Sequence, residues 1–254
     1  MPVAPAGFTL LPGTERMGAG QATRVFGVGR DGEDLVCKVL GPRALAEPWM
    51  RERLVAEGRL LGLLGGGATP RLVASGEDAG GPWIVMERIA WPPLASYTGK
   101  RDAGWLEKAA RAAFDALAAV HAAGVVHGDV SPDNVLVSGD GAGAALVDFG
   151  LALGPTMPPL PHGPFRGTLL YAAPEVARGE PYDARADLFA MAASLLHVWS
   201  GEAPRGQTTD AAMLLEAGEQ SIEAWAERAV QGLAPEVGRT LVTRCSFDAK
   251  DRVA

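Results

Sequence analysis

The spacing of apolar positions changes once along this chain, near residue 88. From Phe8 to Leu40, apolar and β-branched residues alternate with polar ones in short runs broken by glycines: Phe8–Leu11, Thr23–Gly29 and Leu35–Leu40, with Gly32 at the last turn. Side chains of a strand point alternately to its two faces, so this period predicts antiparallel hairpins. Between Trp49 and Leu64 the period lengthens: Leu54, Leu60, Leu61 and Leu64 are interleaved with charges, as in a helix that Gly65-Gly66-Gly67 would stop. Arg71–Ser75 and Trp83–Glu87 return to strand-like runs, completing five antiparallel strands and one helix.

After Arg88 the pattern is helical. Trp91-Pro92-Pro93 marks a connection, because consecutive prolines lack donors and resist a helix interior. Ala103–Ala123 carries Leu106, Ala110, Phe114, Leu117 and Val120 as an apolar stripe at helical spacing, ended by Gly124. Val125–His127, Val135–Val137 and Ala145–Val147 have the length of small strands. Ala184–Trp199 reads as a buried helix, followed by helices near Thr209–Glu216 and Pro235–Cys245. The expectation is an α+β chain, residues 1–87 forming a small sheet-based lobe and 88–254 a larger, mainly helical one.

Composition narrows the partners. A chain of 254 residues, 48% hydrophobic and 21% charged, can bury two cores. Its 23 basic and 30 acidic residues give a net charge of −7 with no block of like charge, so nucleic acid and anionic membrane are not expected partners. No stretch has the form of a secretory signal or a membrane span. Two cysteines, Cys37 and Cys245, make no disulfide framework and suit a reducing cytoplasm.

The chemistry concentrates in His127-Gly128-Asp129-Val130-Ser131-Pro132-Asp133-Asn134, then Asp148-Phe149-Gly150, then Ala173-Pro174-Glu175. An aspartate with an asparagine five residues on places a proton acceptor and a metal ligand on one loop; a second aspartate, 19 residues beyond the first, adds a carboxylate. Magnesium takes hard oxygen ligands and shares its shell with substrate phosphates, a combination that serves phosphoryl transfer. Taken singly, Ser131-Pro132-Asp133-Asn134 is an ordinary turn and Asp148-Phe149-Gly150 a strand end. Their joint order decides between the readings.

That order, HxD…N…DFG…APE, resembles the eukaryotic-type (Hanks-type) protein kinase superfamily, and the Ala/Gly/Pro-rich, lysine-poor composition suits a bacterial serine/threonine member. The resemblance runs from about Phe8 to the end and implies a bilobal fold with ATP and Mg2+, or Mn2+, as cofactors. It implies that Asp129 is the catalytic base and that Asn134 and Asp148 hold the metal. Lys38, alone a strand lysine facing solvent, would pair with Glu57 in a segment resembling helix C and meet the α- and β-phosphates; Glu52 is the weaker candidate. Gly18-Ala19-Gly20-Gln21 and Val25 would cover the phosphates, with Thr23 at the third glycine position of that loop. Met86-Glu87-Arg88-Ile89 resembles the interlobe hinge, with Met86 as gatekeeper and the backbone of Glu87 and Ile89 facing adenine. Gly58 weakens the predicted helix by about 1 kcal/mol relative to alanine, which would ease movement of the ion pair.

Gly167-Thr168-Leu169-Leu170-Tyr171-Ala172-Ala173-Pro174-Glu175 resembles the segment of kinases that act on protein Ser and Thr hydroxyls. Glu175 would pair with Arg252, and Asp187 would brace the loop of Asp129. His127 is expected as packed scaffold; His121, His162 and His197 form no metal set. The family continues for another helix, so part of the domain is expected beyond Ala254. Two departures keep other readings open. Gly128 replaces the family's arginine and Ser131 its lysine, as in aminoglycoside-type small-molecule phosphotransferases; Thr23 and Ser131 together also suit a weakly active nucleotide-binding scaffold.

Overall fold

The computed structural model describes residues 2–14, 17, 22–161, 166–206, 222–246 and 248–252. The chain folds as two compact units, Met1–Ala90 with Pro155–Pro161, and Trp91–Gly154 with His162–Ala254. The boundary between the units, Ala90/Trp91, lies within three residues of the expected 87/88, and a short proline-rich strap from later in the chain belongs to the first unit.

In the first unit, β1 (Thr9–Leu10), β2 (Thr23–Arg30), β3 (Glu33–Leu40), β4 (Leu72–Asp78) and β5 (Gly81–Glu87) form one antiparallel sheet in the order β1-β2-β3-β5-β4. Phe26, Val28, Leu35, Cys37 and Val85 make its buried cluster, with Phe8, Leu10 and Trp83 packed at the edge. Alternation sets the register: Lys38 pairs with Val25 on one side and Ile84 on the other. A short helix α1 (Pro42–Leu45) precedes α2 (Pro48–Leu64), which opens on a proline at its first position and closes on Gly65 at φ 74°. Gly58 has a packing reason that sequence could not supply. A Cβ there would lie 2.9 Å from Ile84 Cγ2, so the glycine lets α2 approach β5 closely.

The second unit is built on α3 (Ala103–Ala122) and α5 (Ala184–Ser200), with β6 (Val135–Val137) and β7 (Ala144–Leu146) as a small hairpin and α4 (Pro174–Ala177) between. Asp102 caps α3 through the Trp105 N–H, and Asp183 caps α5 through the Arg185 N–H. On α3 the buried face is Trp105, Leu106, Ala109, Ala110, Ala113, Ala116, Leu117 and Val120. Phe114 lies at the edge of that stripe, half-buried under the Arg244 guanidinium. Twelve residues of α5 are buried on all sides, as suits a central helix. Val125–His127 is not a strand: Val126 alone bridges to Leu153, and the neighbouring groups serve the loop described below. α6 (Ile222–Ala229) was not expected, α7 (Pro235–Arg244) was, and the helix expected near Thr209–Glu216 lies outside the described residues.

Candidate active site

In the first unit, Lys38 and Glu57 are 2% exposed each, and Lys38 Nζ donates to both carboxylate oxygens at 2.7 and 2.8 Å. β3 delivers the lysine and α2 the glutamate. Two buried charges are tolerable because each satisfies the other. Glu52, the weaker candidate, instead lines an open groove of about 620 Å³ with Arg51, Arg59 and Thr156. None of the expected nucleotide-binding residues among those described lines that groove. Met86 is buried at the end of β5; Glu87 is exposed, and its N–H is committed to the Arg71 carbonyl at 2.9 Å. The Glu87 carbonyl and the half-buried Ile89 follow it. Val25 is half-buried on β2, whereas Gly18, Ala19, Gly20 and Gln21 lie outside the described residues.

Arg53, one helical turn before Glu57, is 3% exposed, and its Nη1 donates to the Pro158 carbonyl at 2.5 Å. The proline-rich strap is therefore fastened to α2 by main chain. Sequence reasoning missed this arginine, because its partner is a carbonyl that any residue could supply.

In the second unit, the β6–β7 hairpin brings Asn134 and Asp148 to its open end. Val135 pairs with Leu146, and one step outward the Val147 N–H donates to the Asn134 carbonyl at 3.0 Å. Asn134 Nδ2 donates to the Asp129 carbonyl at 2.8 Å and lies 3.3 Å from Asp129 Oδ2. With the amide nitrogen so committed, Asn134 Oδ1 is left as a hard acceptor. Asp148 is exposed, sits at φ 65°, and its Oδ1 accepts the Gly150 N–H at 3.2 Å. Aspartate tolerates that left-handed conformation, and here it turns the chain two residues past the end of β7.

Asp129 is the hub. Its Oδ1 accepts the Thr168 N–H at 2.8 Å. Burial pushes its carboxyl above the usual aspartate range, the Thr168 hydrogen bonds and His127 pull it down, and the Asp148 carboxylate pushes it up. Beneath it Asp187, 1% exposed, accepts the N–H groups of His127 and Gly128 at 2.7 and 2.9 Å and faces His121 Nε2 at 2.9 Å. His127 is fully buried against Phe149; its Nε2 donates to the Val147 carbonyl at 3.0 Å, so its Nδ1 can accept the Asp129 N–H at 3.3 Å. It is scaffold, as expected. Gly128 lies at φ 76°, where a Cβ would sit 2.7 Å from the Leu151 carbonyl oxygen, so this loop is closed to an arginine without backbone movement. Ser131 is buried, and its carbonyl accepts the Asn134 N–H at 3.0 Å. Arg252 clasps Glu175 with two bonds of 2.6 and 3.0 Å.

Asp129 and Asn134, on the loop before β6, and Asp148, just past β7, thus bring two carboxylates and an amide to one end of the hairpin. The chain belongs to the protein kinase domain family, whose profile matches residues 13–252. It is 30% identical over 190 residues to the serine/threonine-protein kinase Pkn1 of Myxococcus xanthus, covering 72% of this chain and 27% of that protein. Against the probable serine/threonine-protein kinase PknB of Corynebacterium glutamicum it is 30% identical, covering 74% and 31%. Against the serine/threonine-protein kinase PknL of Mycobacterium tuberculosis it is 29% identical, covering 85% and 55%. The chain thus spans between about a quarter and just over half the length of these relatives. No described helix is long and apolar enough to cross a membrane.

Proposed function

We propose that this chain is a single kinase domain, an N-lobe at 1–87 and a C-lobe at 88–254, that transfers the γ-phosphoryl group of ATP to serine and threonine hydroxyls of proteins. The observation that carries the reading is the bond from the Thr168 N–H to Asp129 Oδ1: it ties the segment leading to Glu175 directly to the proposed base. A small-molecule phosphotransferase gains no support from that tie.

In this reading Asp129 takes the proton of the acceptor hydroxyl as its oxygen bonds to the γ-phosphorus, the bond to the bridging oxygen breaks, and ADP leaves. The Thr168 N–H and the Asn134 amide hold the carboxylate in orientation. Lys38, held by Glu57, places a cation against developing phosphate charge. The nucleotide would be held by Gly18–Gln21, Val25, Met86 and the backbone of Glu87 and Ile89.

The donor set fits a hard divalent cation. Asn134 Oδ1 and the Asp148 carboxylate are oxygens, and no group of three or more His, Cys, Asp or Glu among the described residues forms an all-protein cage. Mg2+, or Mn2+ in its place, characteristically takes few protein ligands and completes its shell from phosphates. When bound it would neutralise charge on the transferring group. A cytoplasmic location accords with two cysteines and no disulfide framework, and the absence of a nucleic-acid partner with the net charge of −7. The test is radiolabelled ATP offered to a protein mixture and, separately, to amino sugars and sugar alcohols. Label is expected on serine and threonine of proteins; label only on a sugar would overturn the reading.

A further inference from the structure

Arg205 lies in the loop after α5 and is 5% exposed. Its Nη1 donates to the carbonyls of Leu169 and Leu170, each at 2.9 Å, and its Nη2 to that of Ala172 at 2.7 Å. Among the described residues no carboxylate pairs with it. A cation buried without a counter-charge is costly, so it persists only where charge-assisted hydrogen bonds offset the loss of water. Burial lowers the guanidinium to about 10, which leaves it charged at neutral pH.

The loop is built to present this side chain. Gly206 turns back at φ 74° with its N–H on the Ala203 carbonyl at 3.2 Å, and Trp225 Nε1 holds the Glu202 carbonyl at 3.2 Å. What it grips is a turn that is neither helix nor strand, closed by the Tyr171 N–H on the Thr168 carbonyl at 3.0 Å. Such carbonyls have few main-chain partners and must find others when buried. Tyr171 adds a second anchor, its hydroxyl 2.7 Å from His197 Nδ1 on α5. The turn starts at Thr168, whose N–H holds Asp129.

We propose that Arg205 is the positioning residue for the protein acceptor: by gripping three carbonyls of Leu169–Ala172 it fixes the surface beside Asp129 along which an acceptor peptide lies. This rests on the protein-kinase reading above. It assigns Arg205 no contact with nucleotide or with the transferred group, so its loss acts on the acceptor alone.

Arg205→Met would take the charged donor from all three carbonyls, leaving Leu169 only the Ala172 N–H at 3.2 Å, and risk unfolding, so the test uses Arg205→Lys and Arg205→Gln. Both keep donors, and neither spans three carbonyls in a fixed plane. Steady-state kinetics are measured for a serine peptide and for ATP, with acceptor-free ATP hydrolysis and circular dichroism alongside. The expected result is a loss of roughly ten- to a hundredfold in kcat/KM for peptide, the range for a misplaced reactant. The KM for ATP and acceptor-free hydrolysis should remain those of the wild type. Folded variants with the wild-type kcat/KM for peptide would overturn the proposal. So would equal losses toward peptide and ATP, or failure of both variants to fold, since either marks a general structural role. A wild type that hydrolyses ATP yet phosphorylates no peptide would instead bring down the kinase reading, and this inference with it.

Discussion

Lys38 and Glu57 meet through two hydrogen bonds of 2.7 and 2.8 Å, drawn from β3 and α2 and sealed from water. Removing one partner of such a pair strands the other charge, at a cost of about 3–5 kcal/mol. Lys38→Met is therefore expected to lower stability by that amount and to slow transfer by about 10²–10³-fold, the scale of a lost electrostatic stabiliser. The double variant Lys38→Met/Glu57→Leu separates the two effects. Denaturant unfolding should show recovered stability, while phosphoryl transfer stays slow; recovery of the full rate would make Lys38 purely structural.

Control of the strap follows from Arg53 and Gly128. Thr156 is the one hydroxyl residue between Phe149 and Thr168, and its Oγ1 is buried without a hydrogen bond. Arg53 already holds the Pro158 carbonyl, and Gly128 supplies no phosphate receptor beside Asp129. The prolines at 155, 158, 159, 161 and 164 lower the entropy of the free segment. Activity on an exogenous substrate is thus expected to survive phosphatase treatment and Thr156→Val, the latter with no loss in melting temperature. A tenfold loss in both assays would identify a phosphorylation switch.

Much of this arrangement was legible in the sequence. Alternation marked the strands up to β5, and helical spacing marked α2, α3 and α5, because each has one dominant partner surface or is buried throughout. Asp129, Asn134 and Asp148 could be singled out because the order of their motifs resembles the protein kinase family. Val125–His127 misled: its groups bond to Asp187, Val147 and Leu153 rather than to a neighbouring strand. Arg53 and Arg205 were invisible for the same physical reason. Both end on backbone carbonyls, which carry no side-chain signature.

Metal use gives a sharper test of the hairpin. Asp148→Asn removes the negative charge while keeping the size of the side chain. Titration of Mg2+ in the presence of ATP should show metal-stimulated transfer abolished, with the fold unchanged by circular dichroism. Full stimulation by metal would remove Asp148 from the cation site.

Cys37 and Cys245 are both buried, and burial pushes each thiol up to about 12. A raised value keeps the neutral thiol, which is the unreactive form. Iodoacetamide at about pH 8.5, near the free thiol's own value, should alkylate neither cysteine in the folded protein and both in urea. Mass spectrometry of the alkylated protein reads this directly, and rapid labelling of the native chain would contradict the buried placement.

The proposed role of Asp129 is that of base for transfer to a serine or threonine hydroxyl. It is tested most directly by phosphoamino-acid analysis of a protein substrate labelled from γ-labelled ATP, with wild type and Asp129→Asn compared at equal nucleotide occupancy. The wild type is expected to yield phosphoserine and phosphothreonine. The variant is expected to lose about 10²–10⁴-fold, the usual contribution of a positioned base, while nucleotide still binds. Wild-type turnover in Asp129→Asn would contradict it.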